Sequence, residues 1–214
     1  LIGRLIYFSI FKNGIYKRQV LSQQNYSSET LPYKRGDILD RDGNTLATSQ
    51  KMYTLVLEPK NILRSEEVQK ATIDALHKYM KLDEDKLLKF IKRHKDSYYS
   101  VYREELSYSQ IADLKDFIAS DKAENVSGIV FNEKYKRRYP NQSLASQVIG
   151  FVSDGTIGTG GIEQYYNSTL SGVDGRKYKY LNEELEQDSS IVEPENGKTV
   201  VTTIDSNIQK LAED

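Results

Sequence analysis

YKRGDILDRDGNTLATSQKMYTLVLEP, residues 33–59, sets the fold. Ile38 alternates with polar neighbours, Asp42-Gly43 interrupts the alternation, and Leu46 resumes it. An Asp-Gly pair between alternating segments reads as a hairpin, because glycine enters the positive-φ region that tight turns require. The apolar run continues through Leu57 as a strand, and Pro59 ends it by removing a backbone donor.

Helical spacing takes over beyond Pro59. Ser65-Glu66-Glu67 opens a helix with Val68, Ala71, Ile73, Leu76 and Met80 on one side. DEDKLLKFIKRH, residues 83–94, repeats the pattern behind an acidic start that suits the helix dipole. YYSVYREEL (98–106) is strand-like, SYSQIADLKDFIASD (107–121) is a further capped helix, and VSGIVFNEKYKRRYP (126–140) is a strand closed by Pro140. Glycines punctuate the last third, where KYKYL and KTVVTTI read as strands. Strands at both ends with helices between them predict an α+β fold. The expected form is an elongated β-rich stem carrying a helical head inserted at about 60–125.

Residues 1–25 read as a helix that turns polar after Phe11. LIGRLIYFSIF is shorter than the ~20 apolar residues of a membrane span and carries no signal-cleavage pattern. It is either an amphipathic core helix or the last turns of a truncated membrane anchor. NIQKLAED (207–214) stops within a helical pattern, so both ends look cut and the second reading is preferred.

Composition narrows the function classes. The 30 Lys and Arg nearly balance the 31 Asp and Glu, so no overall field favours nucleic acid. Without cysteine there is no disulfide, thiolate metal site or cysteine nucleophile. His77 and His94 lie in charged helical stretches and read as solvated. No metal or cofactor is expected. Tyrosine supplies most of the rings (16 Tyr, 6 Phe, no Trp), which suits wet surfaces.

Several short matches fail on their own chemistry. Arg35-Gly36-Asp37 spells an adhesion tripeptide but enters a hairpin. A calcium loop starting at Asp40 needs Gly at its sixth position and Glu at its twelfth, where Thr45 and Lys51 stand. Gly155, Gly158, Gly160 and Gly161 lack the Gly-Lys-Ser/Thr ending of a phosphate loop and read as a sharp backbone path before a helix near Ile162. Lys134, Lys136, Arg137 and Arg138 alternate with Tyr135 and Tyr139; a solvated basic strand face is preferred to a nucleic-acid patch. Ser9 and Lys12 match S-x-x-K by spacing only, and Lys198-Thr199-Val200 lacks the glycine of K-T-G. No nucleophile with a neighbouring base is evident, so no catalytic residue is assigned.

Three longer segments carry a resemblance. RGDILDRDGNTLA (35–47) resembles the R-G-x-I-x-D-R-N-G-x-x-L-A segment of class B penicillin-binding proteins. RRYPNQSLASQVIGFV (137–152) is similar to their R-x-Y-P segment with its following helix, although Asn141-Gln142-Ser143, Gln147 and Phe151 depart from the usual pattern. GTGGIEQYYNSTLSGVDG (158–175) resembles G-x-x-G-I/L-E-x-x-Y-x-x-x-L-x-G-x-x-G, and TVVTTIDSNIQKLAE resembles the family's junction into its transpeptidase domain.

The resemblance implies a membrane-proximal helix at 1–25, a dimerisation or pedestal domain at 26–200 and the start of a transpeptidase domain at 201–214. The implied structural residues are Arg35, Gly36, Asp40, Arg41, Gly43, Arg138, Tyr139, Pro140, Gly161, Glu163, Gly172 and Gly175, with Glu163 pairing an arginine of the first or second segment. The implied function is a non-catalytic pedestal on the extracytoplasmic face of a bacterial membrane. Its implied partners are the parent's transpeptidase domain, a membrane-embedded glycan polymerase, other cell-wall synthesis proteins and a second copy. Tyr98, Tyr99, Tyr102 and Tyr108 on the head are candidate anchors for a partner or a cover for the head's own core. An alternative is an extracytoplasmic small-ligand module using the glycine-rich segment 155–161.

Overall fold

The computed structural model describes residues 27–153, 156–181 and 187–213, so the expected opening helix lies outside the described residues. The chain divides into two units, one of residues 1–33 and 173–195, the other of residues 34–172 and 196–214.

The first unit contains an antiparallel sheet of β1 (Ser27–Leu31), β8 (Gly175–Leu181) and β9 (Gln187–Val192), with β8 in the middle. Leu31 opposes Gly175, and the Tyr33 N–H donates to Asp174 Oδ1 at 3.0 Å.

The second unit is built on the predicted hairpin. Its first arm, β2, is only Ile38–Leu39, whereas β3 runs from Thr45 to Leu57. Ile38 opposes Ala47, and a parallel strand, β10 (Val200–Val201), lies against β2. Farther along, β3 pairs with β4 (Ser100–Leu106) and with β5 (Ile129–Arg138), Thr48 opposing Arg138 and Leu57 opposing Ile129.

The helical block emerges from the end of β3. Pro59 occupies the first turn of α1 (Pro59–Ile62), where its missing N–H costs no helical bond. In α2 (Glu66–Met80) Ser65 caps the start by accepting from the Val68 N–H, and in α3 (Glu84–Arg93) Asp83 does the same for Lys86. The start of α4 (Tyr108–Ile118) is fixed by Gln110 Oε1, which accepts from the Ser107 N–H at 2.8 Å.

Tyr53, Leu55 and Leu57 alternate onto one face of β3 and meet Leu76 of α2, Leu87 and Ile91 of α3, and Ile111 and Leu114 of α4. Each fully buried aliphatic chain contributes about 1.5–3 kcal/mol relative to exposure. A second core gathers Ile38, Leu46, Ala47, Ala145, Ile149 and Leu170 beside the hairpin. Both cores therefore draw on β3. The fold is α+β, and β4 returns to the sheet from inside the block expected to be the head.

The remaining elements are short: α5 (Ser146–Ile149), the hairpin of β6 (Phe151–Ser153) and β7 (Ile157–Thr159), α6 (Gly161–Tyr165) and α7 (Asn167–Leu170). The last element, α8 (Ser206–Glu213), has no buried residue. Among the described residues no helix is long and apolar enough to cross a membrane.

Candidate functional site

Glu163, in the first turn of α6, is completely buried. Its two carboxylate oxygens face different arginines. Arg35 Nε donates to Oε2 at 2.9 Å and Arg137 Nε to Oε1 at 2.7 Å. The Tyr139 hydroxyl adds a longer bond to Oε1 at 3.3 Å. Two guanidinium groups against one carboxylate leave a net positive charge among these three side chains. Main-chain carbonyls and hydroxyls receive further donors: Arg35 reaches Thr156 O, Ser171 Oγ and Glu163 O, and Arg137 Nη1 reaches Gly36 O and Ser49 Oγ. Arg137 Nη2 has no hydrogen-bond partner among the described residues.

Glycine makes the approach possible. A Cβ at Gly158 would lie 2.0 Å from Glu163 O and 2.8 Å from Arg35 Nη2. Gly161 takes φ +51° where its backbone meets Val148 O. These glycines close on the protein's own main chain. The environment also acts on Tyr139, whose hydroxyl pKa is pushed up to about 12, first by burial and then by the Glu163 charge.

The expected arginine of the second segment, Arg138, is not in this cluster. It is exposed, and its Nε donates to Gln50 at 3.2 Å. Strand parity explains the correction: Ile129 and Phe131 face the head core, so odd-numbered positions of β5 turn inward and Arg137 follows them. That two-residue repeat, continued from the apolar start of the strand, is the signal that identifies Arg137 from sequence.

A second set of contacts surrounds Asp40. Its Oδ1 accepts the N–H groups of Asp42 and Asn44, and its Oδ2 accepts from Asn44 Nδ2 at 2.9 Å and Ser206 Oγ at 2.6 Å. The bonds from Ser206 and Asn44 hold the Asp40 carboxyl well below the usual carboxylate range. This set includes Ser206 and Asn44, neither assigned from sequence. Gly43 supplies the turn with φ +86°. The Arg41 N–H donates to Ile204 O at 2.9 Å, while its exposed guanidinium lies 3.5 Å from Asp205.

Segment 197–200 threads the same region. Gly197 N donates to Lys34 O, Gly36 N to Leu170 O and Lys198 N to Thr169 O. A Cβ on Gly36 would sit 2.0 Å from Lys198 O. At the far end of α8, Glu213 Oε1 accepts the Ala145 N–H at 2.9 Å. Thus α8 is tied at both ends by polar bonds, while Ile208 and Leu211 are 63% and 81% exposed.

Other expected residues fall elsewhere. Pro140 is exposed and lines a shallow depression with Lys210 and Glu213. Gly172 ends the first segment of its unit, and Gly175 belongs to the other unit as the first residue of β8. Of the four tyrosines, Tyr98, Tyr99 and Tyr108 are exposed, whereas Tyr102 is half-buried edge-on to Phe90 at 4.9 Å. His77 is exposed, but His94 is half-buried with its ring 4.4 Å from that of Phe90. The basic strand face is ion-paired, Lys134 with Glu104 and Lys136 with Glu105.

Residues 30–202 match the penicillin-binding protein dimerisation domain. The chain is 27% identical to a probable peptidoglycan D,D-transpeptidase PenA of Neisseria meningitidis, over 99% of this chain and 36% of that protein. It is likewise 27% identical to stage V sporulation protein D of Bacillus subtilis, over 87% of this chain and 28% of the relative. The chain therefore spans roughly a third of the length of these curated relatives. Penicillin-binding protein 2X from Streptococcus thermophilus superposes with a TM-score of 0.67 at 25% identity, over 87% of this chain and 30% of that one. A chain of a complex between penicillin-binding protein PBP2 and MreC from Helicobacter pylori superposes with a TM-score of 0.57 at 23% identity, over 89% of this chain and 38% of that one. By a family match that covers all three segments gathered around Glu163 and Asp40, this chain belongs to the penicillin-binding protein dimerisation-domain family.

Proposed function

We propose that this chain is a non-catalytic pedestal of a bacterial cell-wall transpeptidase, holding a penicillin-binding catalytic domain on the extracytoplasmic side of the membrane. In this reading residues 1–25 follow a membrane anchor, 26–200 form the stem and its inserted head, and 201–214 lead into the catalytic domain. The observation that carries it is the gathering of Arg35, Arg137 and Glu163 into one buried cluster, with Asp40 bonded to Ser206 on the exit helix. Breaking a buried ion pair by removing one partner costs about 3–5 kcal/mol, so such a cluster fixes the angle at which the chain leaves. The exit helix presents Ile208 and Leu211 outward, as a helix does when its apolar side is completed by a following domain.

The interaction half of the reading rests on relatives. A second copy, a membrane-embedded glycan polymerase and other cell-wall synthesis proteins are its proposed partners, the complex with MreC being the example among related folds. Fluorescent penicillin tests the non-catalytic half: the chain should take up no covalent label. Stoichiometric labelling of any serine would overturn it. Co-purification of the full-length parent with a polytopic glycan polymerase tests the interaction half, and its absence from membrane extracts would remove it.

A further inference from the structure

Three lysines of the sheet are matched by carboxylates, Lys51 with Glu133 and Lys134 and Lys136 with Glu104 and Glu105. At the head tip the cations are not. Four of the residues from Lys89 to Tyr99 (Lys89, Lys92, Arg93 and Lys95) are Lys or Arg and one, Asp96, is acidic. Leu87 and Ile91 bury one side of α3, and at 100° per residue Lys86, Lys89 and Arg93 fall on the opposite side. The following loop adds Lys95. It is joined to α1 by the Lys60 N–H, which donates to Ser97 O at 3.0 Å, and Lys60 Nζ lies 4.6 Å from the ring centre of Tyr98. Lys60, Lys89, Arg93 and Lys95 are all exposed, and none forms an ion pair among the described residues.

The position is informative. Residues 59–64 and 94–99 adjoin the Leu57–Ser100 end of the sheet, whereas Asp40 and Ser206 adjoin the Thr45 end. The 13 residues of β3 separate these ends by roughly 40 Å at about 3.3 Å per residue. The unmatched charge therefore lies far from the exit helix.

We infer that this tip docks on an anionic lipid bilayer through Lys60, Lys89, Arg93, Lys95 and Tyr98. Long, solvated cations spread over two helices and a loop match the diffuse charge of a headgroup layer. Tyr98, 56% exposed beneath a lysine, combines ring and hydroxyl as interfacial aromatics do. The inference rests on the proposed placement of the chain beside a membrane.

The test is co-sedimentation of the whole chain with phosphatidylglycerol/phosphatidylcholine vesicles and with pure phosphatidylcholine vesicles, at low and high salt. The triple variant K89E/R93E/K95E is compared with K122E, a charge reversal away from the tip, after equal thermal midpoints are verified. Binding through residues 1–26 is common to every variant and cancels. The expected result is salt-sensitive binding to phosphatidylglycerol vesicles, weakened at least about tenfold in the triple variant and little changed in K122E. Equal binding by wild type and triple variant overturns the inference, as does equal binding to both vesicle types. Charge-dependent capture of soluble polyphosphate without vesicle binding overturns it too, assigning the tip to a polyanion. Penicillin labelling would sink the pedestal reading while leaving the vesicle result to stand on its own.

Discussion

Replacing Glu163 by Gln tests the central cluster most directly. The carboxylate accepts from Arg35 Nε, Arg137 Nε and the Tyr139 hydroxyl, and Arg35 and Glu163 have 2% and 0% of their side chains exposed. An amide offers one acceptor oxygen and turns an NH2 donor toward the other guanidinium. Two buried positive charges then lose their counter-charge, at a cost of about 3–5 kcal/mol. For a chain of this size each kcal/mol lowers the midpoint by about 2–4 °C, giving a fall of roughly 6–20 °C. Urea unfolding followed by circular dichroism measures the loss. Arg138→Ala, on the exposed side of the same strand, should stay within about 0.5 kcal/mol. The combined variant R35M/E163L/R137M, which removes all three charges together, should recover much of the stability lost by E163Q alone. An E163Q protein within about 1 kcal/mol of wild type would refute the claim that this cluster locks the three segments.

Three further outcomes are expected. Tyr139 ionises at about 12 in the folded chain against about 10 when unfolded, so its contribution is intact below pH ~10 and lost as pH rises toward 12; ultraviolet titration should show this, and Tyr139→Phe should flatten the alkaline fall in melting temperature. Asp40 has a lowered pKa, so its contribution is present above the unfolded value of about 4 and lost as pH falls through the folded one; Asp40→Asn or Ser206→Ala should weaken the acid dependence of melting. Gly36→Ala places a Cβ 2.0 Å from Lys198 O and should cost about 1–3 kcal/mol through displaced backbone, whereas Gly43→Ala meets open space and pays only for φ +86°, about 1 kcal/mol; paired thermal melts distinguish the two.

Local chemistry made the hairpin and the head readable. The Asp42-Gly43 turn, the Ser65 and Asp83 caps and the Pro59 start each act within a few residues, so a single pass along the chain finds them. Pairings across long separations were not readable in that way. Nothing in Ile38-Leu39 announces a parallel partner at Val200-Val201, and nothing in Ser27–Leu31 announces Gly175–Lys179. Glu163 stands out in sequence only through its segment's resemblance to a known family; its two-sided pairing depends on α6 lying against β5 and the entry to β2. The expected pairing of Glu163 with arginines of the first and second segments is present, through Arg35 and Arg137, whereas Arg138 lies on the other face of β5; that parity is available in sequence once a strand's buried face is fixed at its apolar end.

Leu46 and Ala47 belong to one core and Tyr53, Leu55 and Leu57 to the other, on the same uninterrupted strand. A push on the tip thus travels toward the hairpin beside the exit helix along backbone that β5 pairs in regular register from Leu57 to Thr48, the pairing with β4 shifting register near Leu55. In mechanical terms β3 is a strut: tilt or tension at one end is delivered to the other with little damping.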